Sequence, residues 1–154
     1  MVSKTPHLYH ITSRAQAAAD SYHETGDMEH KHWMEPSSLR AVTDRFLALS
    51  SRSSHPFAYF HCPVPVSAMS FLPEYFEPLP ELYAALQKAD CELILGLVHY
   101  GDLEGTRQRI EAAQEKVPGI RFGVATECGM GRTPAEQLEG ILEISRSVSG
   151  EVAL

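Results

Sequence analysis

The chain has 154 residues, 44% hydrophobic and 21% charged, which is enough for a single domain (1–154) with a core of its own. Its formal net charge of -7 comes without any Lys/Arg cluster longer than a residue or two. That argues against a nucleic-acid or anionic-membrane surface, since both require a concentrated basic face. No stretch nears the ~20 consecutive apolar residues of a membrane span, and the amino terminus "MVSKTPHLYH" lacks the apolar centre of a secretory signal. Cys62, Cys91 and Cys128 are an odd number without framework spacing, so free thiols in a reducing, cytoplasmic setting are expected.

In chain order, residues 1–20 are poorly defined, with good helix formers in "TSRAQAAAD" but little apolar periodicity. "SYHETGDMEHKHWMEP" is polar, rich in histidine and closed by Pro36; it reads as a loop. Ser37 to Ser50 reads as a helix capped by Ser37 or Ser38, with Leu39, Val42, Phe46 and Leu49 along one face. "FAYFH" has strand character. From Pro63 to Pro80 the chain holds five prolines, which predict a long semi-rigid excursion without regular structure through most of its length.

"PELYAALQKAD" reads as a short helix. "ELILGLVH" is a nearly continuous apolar run, the mark of a strand buried on both faces of a parallel sheet. A helix follows from about Glu104 to Lys116, with Ile110, Ala113 and Val117 on one face, and Pro118-Gly119 ends it. "IRFGVATEC" is expected to be the next buried strand. "TPAEQLEGILEISRSV" closes as a helix, with Thr133 and Glu136 as a capping box, Pro134 at the first helical position and an inward stripe of Leu138, Ile141 and Leu142. Such alternation of helix and strand predicts an α/β fold built on a parallel sheet.

In such folds ligands bind at the carboxyl ends of the strands. The three expected strands run into His61-Cys62, into His99 and into Glu127-Cys128. One rim carrying His61, His99 and Glu127 is a coherent set for acid/base chemistry, whereas a single strand-end histidine is more often a structural hydrogen-bonder. Cys128 has three candidate roles: metal ligand, activated nucleophile, or small buried hydrophobe. Cys62 should face away from His61, and Cys91 precedes its strand; both read as structural. His23, Asp27, His30 and His32 crowd the early polar loop without a recognised zinc spacing.

"ELILGLVHYGDLEGTRQRI" followed by "RFGVATECGMGR" resembles the barrel proteins of the uroporphyrinogen decarboxylase and cobalamin-independent methionine synthase superfamily, in particular uncharacterised members related to the catalytic carboxy-terminal domain of that synthase. "FAYFHCPVPV" and "YHETGDMEHKHWMEP" look like two earlier motifs of the same proteins, in the same order, so the likeness spans about residues 21–148. The resemblance implies a TIM-type (β/α) barrel, here a partial or half barrel of three to four β/α units, because a whole one needs ~200 residues or more. It implies a site at the carboxyl rim, where the strand ends make Glu127, His99 and His61 the expected catalytic groups, and His23, Asp27, His32 and Arg132 are the expected substrate-binding groups. It also implies zinc held by Cys128 and His23, with Thr25 standing where related proteins carry a second cysteine. The expected activity is lyase, isomerase or decarboxylase chemistry on a small-molecule substrate. The alternatives are a zinc-assisted thiol methyltransferase or a non-catalytic family member that binds a ligand or partner. An unclosed sheet of this size leaves an apolar edge, so a homodimer is expected.

Overall fold

The computed structural model describes residues 37–149. Three parallel strands, β1 (Tyr59–Pro63), β2 (Glu92–Val98) and β3 (Gly123–Thr126), form one sheet in the order β1-β2-β3. Five α-helices lie between and around them: α1 (Arg40–Ser50), α2 (Leu72–Tyr75), α3 (Leu79–Lys88), α4 (Leu103–Lys116) and α5 (Ala135–Val148). The described part is thus a mixed α/β fold with a parallel sheet, the class that helix–strand alternation dictates.

The sheet register explains why the strand sequences are so apolar. Phe60 pairs with Leu93 and Cys62 with Leu95, and together with Leu97 these side chains are buried on the face that receives the helices. Phe46 of α1 inserts there, its ring centroid 4.8 Å from that of Phe60 and 5.8 Å from that of Phe57. Leu82 and Leu86 of α3 and Ala113 of α4 complete this layer. Each large apolar side chain fully removed from water contributes about 1.5–3 kcal/mol, so this layer is the main source of stability. The alternate residues, Tyr59, His61 and Ile94, lie on the other face and are half-buried, and β3, expected to be a buried strand, is half-buried throughout because it is an edge strand of the described sheet. Cys62 faces away from His61, as the alternation requires.

Several local expectations need correction. The proline-rich stretch is more regular than its composition suggests: a 3-10 turn spans Val66–Phe71 and leads straight into α2. Pro73 and Pro80 fall in the first turns of α2 and α3, where the missing N–H leaves no helical bond unmade. At the last helix no capping box forms. Its flanking residue is Pro134, whose carbonyl accepts from the Gln137 N–H at 2.9 Å, so the helix begins one residue later than a Thr133 cap needs. Leu142 is 42% exposed, and the inward side is set by Ile141 and Ile144.

Two anchors orient the chain at the carboxyl end of β1. The Tyr75 hydroxyl donates to the Pro63 carbonyl at 2.7 Å, and the Leu39 N–H donates to the Tyr75 carbonyl at 3.0 Å. Helix α1 therefore starts at this rim, its first turn assisted by the Ser38 hydroxyl, which accepts from the Arg40 N–H at 3.1 Å. Among the described residues no helix is long and apolar enough to cross a membrane.

Candidate functional site

The carboxyl rim is built around Gly96. A β-carbon at that position would lie 2.6 Å from His61 Nε2, 2.7 Å from the Thr126 carbonyl oxygen and 3.0 Å from the Glu127 α-carbon. No side chain fits, and the space is taken by the imidazole of His61, which crosses from β1 over β2 to meet the Thr126 carbonyl at 3.1 Å. His61 is the third residue of β1 rather than its last, so it lies within the strand and reaches the rim by the length of its ring.

His99 follows the last residue of β2 and turns back toward β1. Its Nε2 lies 2.9 Å from the Val64 carbonyl, while the Val64 N–H donates to the Gly96 carbonyl at 3.1 Å. A carbonyl oxygen only accepts, so the proton of this bond resides on Nε2. In the neutral ring that leaves Nδ1 as the atom with the lone pair. Burial pushes the His99 imidazole below its ordinary pKa of 6.5, and the positive charge of Arg109 adds to this; the Val64 carbonyl and the acids Glu127 and Asp102 pull the other way without restoring it. His99 is a neutral base near neutral pH.

Glu127 follows β3 directly, is half-buried, and has Oε1 removed from solvent. Its charge acts on both His99 and the Tyr75 phenol, so the three groups share one electrostatic neighbourhood. Burial first, then the neighbouring Cys62 and Glu127, push the Tyr75 hydroxyl well above the usual phenol range, which keeps it a donor. Cys128 is half-buried with Sγ 3.8 Å from the Gly129 carbonyl, and its own carbonyl accepts from the Thr126 hydroxyl at 2.5 Å. Among the described residues no three His, Cys, Asp or Glu side chains converge as metal ligands. Cys128 and its described neighbours therefore do not by themselves make a zinc site.

Behind His99 lies a charged pair. Asp102 caps α4, its Oδ1 accepting from the Gly105 N–H at 3.0 Å, and its backbone N–H donates to the His99 carbonyl at 3.2 Å. Arg109, one helical stretch further on, is fully buried and donates to Asp102 Oδ2 at 2.7 Å and to the Leu97 carbonyl at 3.1 Å. Thr106 reaches the same Leu97 carbonyl at 3.3 Å. Burial alone would raise the Asp102 carboxyl; the Arg109 guanidinium, the Gly105 N–H and the nearby charges more than reverse it, and the group stays below the usual carboxylate range.

The structure thus gathers His61, His99 and Glu127 at one rim, with Cys128 beside them. His23, Asp27 and His32 lie outside the described residues, as do His30 and Thr25. Arg132 ends the 3-10 turn Met130–Arg132 just beyond Cys128. Tyr75, Asp102, Thr106 and Arg109 are additional polar groups of this region. Asp102 was legible as a helix cap, standing three residues before Gly105 at the head of a helical run. Nothing in the sequence marks Arg109 or Tyr75. A separate concavity of about 1080 Å³ opens at the opposite, amino ends of β2 and β3, lined by Gln87, Glu92, Arg121 and Ser149 among others. None of the rim groups reaches it, and in a parallel sheet the ligand end is the carboxyl one.

No protein-family model, curated protein or solved structure matches this chain. Its class rests on the fold itself, a mixed α/β domain with a three-stranded parallel sheet.

Proposed function

We propose that the carboxyl rim is the active site of an enzyme that moves protons on a small organic substrate, in a lyase, isomerase or decarboxylase reaction. The observation that supports it best is the hydrogen bond from His99 Nε2 to the Val64 carbonyl, because it leaves Nδ1 as the base of a ring held neutral beside Glu127. His99 takes the proton, Glu127 orients the substrate or returns a proton, and His61, fixed on the Thr126 carbonyl, lines the floor. The half-buried sheet face of Tyr59, His61 and Ile94 supports two extensions of the same reading, a half TIM-type barrel of the uroporphyrinogen decarboxylase/methionine synthase kind and a second copy meeting the first across that face.

The test follows from the chemistry. Enzymes that abstract a proton from carbon exchange it with solvent. The full chain is incubated in D2O with a panel of small ketones, keto acids and hydroxy acids, and deuterium incorporation is read by proton NMR. Incorporation into one substrate that falls at least ~100-fold in both His99→Ala and Glu127→Gln, each with wild-type circular dichroism, is the expected result. Undiminished exchange in either variant overturns the assignment.

A further inference from the structure

The rim's most unusual neighbour is the fully buried guanidinium of Arg109. Apolar side chains fill such positions without giving up hydration, whereas a buried charge needs an ion pair and hydrogen bonds to offset its desolvation. Here those bonds form on one side only. Two nitrogens bind Asp102 Oδ2 and the Leu97 carbonyl, while Nε is buried with no hydrogen-bond partner among the described residues. The two bonds that do form both grip the segment carrying His99. Leu97 is two residues before it, and Asp102 is three residues after it and donates its own N–H to the His99 carbonyl.

We infer that Arg109 is a positioning residue of the rim: it clamps the backbone on both sides of His99 through Leu97 and Asp102 and sets a fixed positive charge behind the imidazole. The geometry accounts for this in steps. The β2–β3 register is irregular between Leu95 and Val98, and it is there that the Leu97 carbonyl takes Arg109 and Thr106 as donors. With the strand end held, the His99 ring has one direction in which to donate, across to Val64. Three charged groups act on that ring: Arg109 and Asp102 from α4 and Glu127 from the end of β3, with the Val64 carbonyl contributed by the β1 side. Arg109 opposes the two acids. Without it, burial alone would oppose them and the Val64 carbonyl, and the His99 pKa would rise.

The inference rests on the reading of His99 as the base, but its test reads protonation rather than turnover. Full chains labelled with 13C and 15N at histidine are titrated by NMR as wild type, Arg109→Met and Asp102→Asn. The expected result is an upward shift of the His99 pKa in Arg109→Met, together with loss of the single Nε2–H tautomer. Asp102→Asn keeps the helix cap and is expected to shift the pKa downward, because an acid is lost and Arg109 is left unopposed. Opposite shifts from two members of one pair are not a signature of general loosening. Should Arg109→Met fail to fold, Arg109→Lys, which keeps the charge but cannot bridge both oxygens, is expected to retain the low pKa and lose the single tautomer. An unchanged pKa and tautomer in Arg109→Met, or shifts of the same sign in Arg109→Met and Asp102→Asn, overturn the inference. A chain that shows these shifts but no deuterium exchange refutes only the function proposed above.

Discussion

His99 Nε2 and the Val64 carbonyl oxygen stand 2.9 Å apart, so a side chain from the end of β2 closes the last gap in the β1–β2 ladder. The Val64 N–H is already spent on Gly96, and its carbonyl would otherwise face the rim unmet. His99 thus has a structural task at Nε2, and in the neutral ring Nδ1 keeps the lone pair.

A depressed His99 pKa carries a consequence for stability. Its folded-state value lies below the ordinary 6.5, so the unfolded chain binds the proton more readily. This contribution to stability is complete above the ordinary imidazole range and is lost as pH falls through it toward the folded value. Urea denaturation of wild type and His99→Gln at pH 7.5 and 5 measures it: the wild type is expected to lose more stability between those two values than the variant. An equal loss in both contradicts the assigned direction.

Gly96→Ala tests how closely the rim is assembled. Its β-carbon would sit 2.7 Å from the Thr126 carbonyl, a backbone atom, and 2.6 Å from the His61 ring. Because backbone cannot yield as a side chain can, overpacking here is expected to cost about 1–3 kcal/mol. Thermal denaturation should show a lower Tm, and the His61 ring resonances should move. A variant as stable as wild type with an unmoved His61 would mean the three strand ends are looser than described.

Much of the fold was readable because its strands are defined by composition alone. "ELILGLV" is apolar at nearly every position, and only a strand covered on both faces, or nearly so, tolerates that. His99 and Glu127 stood out for the same reason, as the first titratable residues after such runs. Arg109 was hidden by the opposite logic: a charged residue on an amphipathic helix is normally solvated, and burial becomes affordable only through Asp102 and a strand carbonyl that the sequence does not show to be near. Tyr75 lay inside a proline-rich stretch whose prolines turned out to sit in first turns, where they favour helices instead of ending them. The closing helix misled in a subtler way. Thr133 and Glu136 have capping-box spacing, but one residue of displacement removes the geometry on which that motif depends.

The two halves of the Arg109–Asp102 pair should respond unequally to removal. Arg109 is fully buried, whereas Asp102 is 36% exposed. Asp102→Ala strands a cation in the interior and also removes the α4 cap, a combined loss expected at about 3–5 kcal/mol. Arg109→Met leaves an acid that water reaches and that still caps the helix, and it eliminates the buried Nε; its cost is expected to be smaller, about 1–3 kcal/mol. Urea unfolding of both variants checks the order. A larger loss in Arg109→Met would show that the guanidinium, rather than its acid, is the better solvated member.

The three thiols should differ in reactivity. Cys62 and Cys91 are buried; burial, and then the neighbouring Cys91 thiol, push the first far above the thiol range, while burial and then the acids Glu92 and Asp90 push the second up to about 12. Neither presents a thiolate near neutral pH; Cys62 is fully buried, and Cys91, which borders the concavity at the amino ends of β2 and β3, is held back by its raised pKa. Cys128 is half-buried at the rim, its carbonyl held by the Thr126 hydroxyl. Brief treatment of the native chain with iodoacetamide at pH 7.5, followed by peptide mass spectrometry, is expected to label Cys128 alone, with all three labelled after denaturation. If Cys62 reacted as fast as Cys128 in the native chain, the helix layer over β1 would have to open far more readily than its aromatic packing allows. Selective labelling of Cys128, in turn, would bring a reporter beside Glu127, so that a ligand entering the rim should slow the alkylation.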